Sequence, residues 1–77
     1  MTTTTNTAAL EADFSHAVTM QTRELRLKTR AAKAGNYGEA RNHQSEAAKW
    51  ALAAWSIAGS LDRFRVAKLA AAAKAAA

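Results

Sequence analysis

The stretch Ala47 to Ala58, AAKWALAAWSIA, constrains the fold of this chain more than any other. Apart from Lys49 and Ser56, every residue in it is alanine, tryptophan, leucine or isoleucine. A helix that is apolar on nearly every side must be buried on nearly every side. With only 77 residues, the chain is one small domain of a size that folds marginally without help. The usual reinforcements are disulfides, metals and oligomerisation. There is no cysteine, which removes disulfides and thiolate metal sites. Two histidines and six acidic residues offer little for any other metal site. A partner, first of all a second copy, is therefore expected to complete the fold.

The rest of the composition points to an all-α chain. There is no proline, alanine is the best intrinsic helix former, and strand formers are sparse and never alternate. The expected architecture is an antiparallel hairpin of two long helices with a short C-terminal helical segment, dimerising into a four-helix arrangement; the alternative is that the third segment folds back and completes a monomeric three-helix core. Met1–Thr7 (MTTTTNT) reads as a flexible tail, with Asn6 or Thr7 as N-cap. Glu11 and Asp13 are expected to favour the helix dipole.

Helix 1 is predicted over 8–34. At ~100° per residue, Leu10, Phe14, Ala17, Val18, Gln21, Leu25 and Ala32 share one face. Glu24 stands four residues before Lys28, the favourable order for an ion pair along a helix.

Residues 35–38, Gly-Asn-Tyr-Gly, are the turn. Gly35 suits a left-handed C′ position, and Asn36 tolerates the same geometry. Helix 2 follows, from Tyr37 or Gly38 to Ala58. Its Ala40, Ala47, Ala51, Ala54 and Ala58 form a line of small residues that lets two helices approach closely, flanked by Trp50 and Trp55. An antiparallel register about Asn36 puts Trp50 level with Arg23 and Trp55 level with Val18. Gly59-Ser60 is expected to break or kink the chain before a helical segment over 60–74, with Ser60 as its N-cap; the alternative is a weak point in one continuous helix, since a helical glycine costs only ~1 kcal/mol. From Ala70 onward the chain is nearly all alanine and is expected to fray.

AKAGNYGEA, Ala32–Ala40, resembles the turn inside tetratricopeptide hairpins and the first hairpin of three-helix MIT-type domains, through Gly35, Tyr37, Ala40 and Ala47. The resemblance implies a tyrosine packed at the hairpin corner and alanines at a close helix crossing. Lys28 replaces the small residue of that pattern, and neither a closing proline nor a second repeat is present. In size and character the chain is also similar to small helical regulators carried by temperate phages. These include inhibitors of host transcription factors and anti-activators of quorum sensing, which act by occupying a host protein.

Nothing in the sequence assembles a catalytic set. His16 and His43 lie far apart in an antiparallel hairpin, and there is neither a phosphate-binding loop nor a nucleophile beside a base. The expectation is a chain that is not an enzyme and has no cofactor or metal.

Eleven Lys and Arg against six Asp and Glu give a net charge of +5. Arg23, Arg26, Arg30 and Lys33 are spaced to form a basic stripe on helix 1. Such a stripe is an ordinary solvated face, or it serves to steer an acidic partner or to bind nucleic acid. No aromatic is interleaved for base stacking, which weakens the nucleic-acid use. The reading is a cytoplasmic interaction module, with no membrane contact, that binds and modulates a larger protein. Trp50 and Trp55, with Ala47, Ala51 and Ala54, would form its partner and dimer surface. The alternative is a small nucleic-acid-binding protein that uses the basic stripe.

Overall fold

The structure is a computed structural model that describes residues 6–77. It contains three helices, α1 (Thr7–Lys33), α2 (Tyr37–Ala58) and α3 (Arg63–Ala76), and no strand among the described residues. Most of the expected tail lies outside the described residues, and Thr7 already opens α1. Asn6 is the cap, its side chain accepting a hydrogen bond from the Ala9 N–H at 3.1 Å. The first turn of α1 carries no acidic side chain. Glu11 and Asp13 therefore sit too far along to serve the free N–H groups, and the dipole role expected of them is corrected.

The end of α1 follows its local chemistry closely. Gly35 has φ +80°, the left-handed geometry in which L side chains are strained. The Asn36 N–H donates to the Ala31 carbonyl at 2.9 Å and the Gly35 N–H to the Ala32 carbonyl at 3.0 Å. This paired closure satisfies two of the orphan carbonyls of α1. Asn36 itself is not left-handed (φ −91°, ψ 77°). Its side chain instead accepts from the Glu39 N–H and caps α2.

α1 and α2 pack as an antiparallel hairpin along two matched seams. On α2 the inward positions are Ala40, His43, Ala47, Trp50, Ala54 and Ile57, where the alanines are buried and the larger residues half-buried. On α1 they are Phe14, Ala17, Gln21, Glu24, Lys28 and Ala31. The spacing alternates three and four, a mean period of 3.5 rather than 3.6, as in paired helices that wind about one another. That small difference corrects two sequence expectations. Leu25 drifts off the seam and is 38% exposed, and Ala31 is buried in place of Ala32. Ala47, 2% exposed, is among the most buried residues of the seam.

Where the seam is polar, its groups find partners across it. His43 Nδ1 lies 2.6 Å from Glu24 Oε2, and Lys28 Nζ donates to Gln44 Oε1 at 2.5 Å. The ion pair expected between Glu24 and Lys28 along α1 is thus replaced by two contacts between helices. Both side chains point at α2, where each meets a closer partner than the other.

α2 ends at Ala58. The Ser60 and Leu61 N–H groups bond back three residues to Ile57 and Ala58, and Asp62, extended at ψ 137°, turns the chain. Asp62, not Ser60, caps α3 by accepting from the Arg65 N–H at 3.1 Å. α3 then runs parallel to α1 and packs on it. Arg65 meets Glu11 at one end, and Arg26 donates to the carbonyls of Lys74 and Ala77 at the other. The expected fraying from Ala70 is corrected: α3 stays helical to Ala76, because Ala73 is buried and Arg26 satisfies the last carbonyls. Phe14, Ala17, Val18, Ala54 and Ala73 form the core where the three helices meet. No described helix is long and apolar enough to cross a membrane.

Candidate interaction surface

The two tryptophans play different parts. Trp50 is half-buried, with His16 set edge-on to its ring at 5.3 Å between centroids and 89° between planes. The sequence register put Trp50 level with Arg23. Arg23 is exposed, and level along an axis does not mean the same face. Trp55, one turn further on, is 78% exposed. Leu52 (72%) and Phe64 (83%) are also open to solvent. The expectation that α2 is covered on nearly every side is therefore not met within one chain. α1 covers one stripe of α2 and α3 covers almost none of it, so its outer side stays bare.

Because α3 lies on α1 and hardly touches α2, a groove of ≈ 270 Å³ opens between them. Phe14 and Val18 of α1 form its floor. Ala51, Ala54, Trp55 and Ala58 line the α2 side, and Val66, Ala70 and Lys74 the α3 side. A second, adjoining depression of ≈ 280 Å³ continues around Trp55 to Leu61 and Arg63. Both linings are mainly apolar, and the only charged residues in them, Lys74 and Arg63, are basic. Of the residues expected at the partner surface, Trp55, Ala51 and Ala54 meet in this groove. Trp50 and Ala47 belong to the hairpin seam instead.

The basic stripe is also divided. Arg23, Arg30 and Lys33 are exposed on α1. Arg26 is held against the end of α3, where its charge complements the negative pole of the helix. Residues 23–45 contain six cations (Arg23, Arg26, Lys28, Arg30, Lys33, Arg41) and two acids (Glu24, Glu39). The turn half of the hairpin thus holds +4 of the net +5, at the end away from the apolar groove.

Glu11 and Arg65 form a two-pronged bridge, with Nε to Oε2 at 2.9 Å and Nη2 to Oε1 at 3.0 Å. Donation by Arg65 holds the Glu11 carboxyl below its ordinary value, and the same bond raises Arg65. The resemblance to hairpin families implied a packed Tyr37. Here Tyr37 is 68% exposed, while Ala40 and Ala47 are buried.

Sequence reasoning missed Leu52 and Phe64 as surface residues. The signal was present for Leu52: once the seam is placed on Ala47, Trp50, Ala54 and Ile57, it falls on the opposite side of α2. No family model, curated protein or solved structure matches the chain.

Proposed function

We propose that the chain is a small protein–protein interaction module that binds and modulates a larger protein, such as a transcriptional regulator, and also associates with itself. The observation that carries this reading is the exposed Trp55 beside an apolar groove, on a helix whose outer side also bares Leu52. Large aromatic side chains next to an apolar recess are the usual anchors of protein interfaces. The basic rim residues Lys74 and Arg63, with the cationic turn half of the hairpin, favour a partner that carries carboxylates around its apolar anchor.

The test is affinity purification from native lysate with wild-type and Trp55→Ala chains. A defined protein retained by the first and lost by the second, with helicity unchanged, is the expected outcome. The same set of proteins retained by both would refute the role given to Trp55.

The concentration of +4 around the turn supports a second reading, nucleic-acid binding by Arg23, Arg30, Lys33 and Arg41. This predicts binding of duplex or single strands that falls steeply with salt and is lost in Arg30→Glu. Arg30 is the appropriate probe because a change at Arg26 would also loosen α3. No shift of either nucleic acid at low salt would end this reading.

A further inference from the structure

We propose that α3 is exchanged between two copies of the chain: α2 straightens into α3, and each α3 packs on the α1 of the partner copy. This rests on the self-association named above and specifies how it happens.

The joint is almost a helix already. Gly59 has helical angles (φ −62°, ψ −20°), and the Ser60 and Leu61 N–H groups still bond back toward α2. Asp62 is extended, at ψ 137°. Straightening the short joint between Gly59 and Asp62 turns α2, the joint and α3 into a single rod over 37–76, roughly 60 Å long at ~1.5 Å per residue.

The side-chain pattern is written for such a rod. The α2 seam at 43, 47, 50, 54 and 57 continues without change of phase at 61 and 64, which are Leu61 and Phe64. In the folded-back chain Phe64 is the most exposed large apolar side chain among the described residues. In the straight helix it falls in line with Trp50, Ala54 and Ile57, and a second copy crossing near the joint would cover it.

The contacts of α3 also travel with it. They are made with α1: Arg65 on Glu11, Arg26 on the last carbonyls, and Ala73 in the cluster with Phe14 and Val18. Little ties α3 to its own α2 beyond the place Ala73 shares with Ala54 in the core. All of the α1–α3 contacts can therefore be remade on the partner copy, so the exchanged interface is already complementary. Straightening gives up one cap, the Asp62 bond to the Arg65 N–H, and gains helical bonds across the joint. The entropy of association opposes it, so exchange grows with concentration.

The chain has no cysteine, which permits a clean test. The Glu11→Cys, Arg65→Cys double variant is equilibrated at high concentration, joined with a short bismaleimide, denatured and weighed. Exchange predicts that the dimer fraction from size exclusion yields covalent dimers. A dimer fraction yielding only single-chain mass overturns exchange and leaves self-association standing. A monomer at every concentration overturns both. Asp62→Ala, which removes the cap twice per dimer, should tighten dimerisation by about thirtyfold, whereas two glycines inserted after Ser60 should weaken it. No response to either change counts against the joint. If the double variant fails to fold, the wild-type protein mixed from labelled and unlabelled chains should show isotope-filtered contacts between Val18 and Ala73. Their absence in a dimer overturns the proposal.

Discussion

At the scale of single residues, burial separates side chains of one chemical type. Trp50 is wedged between His16 and the core, while Trp55 stands in solvent. Trp50→Ala should cost about 2 kcal/mol, less than a fully buried tryptophan because one side of the ring is already wet. Trp55→Ala should stay within about 0.5 kcal/mol, like most substitutions of exposed residues. Urea denaturation of the two variants checks the contrast. Equal losses would mean that Trp55 is covered in the molecule that folds, as a tight dimer would require. The sequence marked both residues as important but could not tell them apart. They lie five positions apart on a helix rich in apolar residues, so no polar face reveals which of them points inward. Gly35 and Asn6 were readable because their roles depend on a few neighbouring peptide groups.

At the scale of elements, α3 is the least secured. Only Ala73 of its residues is buried, and its N-terminal end is held to α1 by the Glu11–Arg65 bridge. The carboxyl of Glu11 sits below its ordinary value because Arg65 donates to it. A lowered carboxylate contributes stability that is present above the unfolded value of 4.5 and is lost as pH falls through the folded one. Acid below pH 4.5 should therefore loosen the start of α3 before the hairpin opens. Hydrogen exchange of α3 amides measures this, and Glu11→Gln should remove most of the pH dependence while leaving that of α1 and α2 unchanged. The helical hairpin was legible from alanine content, caps and Gly35. Whether α3 breaks away and folds back was left open, because its docking rests on Arg65 and Arg26 reaching residues 54, 48 and 51 positions away.

At the scale of the whole molecule, the chain is an elongated body of 55 × 22 × 15 Å whose core lies away from the turn. Phe14, 4% exposed, is the large side chain at the meeting point of all three helices. Phe14→Ala should cost about 3–5 kcal/mol, close to the entire stability of a domain this small. Thermal unfolding should show α3 and the open end of the hairpin lost together. A variant melting within a few degrees of wild type would mean that the core lies elsewhere. The molecule also divides its properties by position, with positive charge at the turn and bare apolar surface at the other end.

By itself the sequence determined that this chain is all-α, where the hairpin turns and that alanines line its seam. These follow from propensity, caps and periodicity, which act within a few residues. Only the tertiary structure decided which tryptophan is exposed, that Arg26 serves α3, and that α3 lies on α1 and leaves α2 bare. Those outcomes depend on how helices far apart in sequence fit against one another. A drift from 3.6 to 3.5 residues per turn is enough to exchange an inward side chain for an outward one.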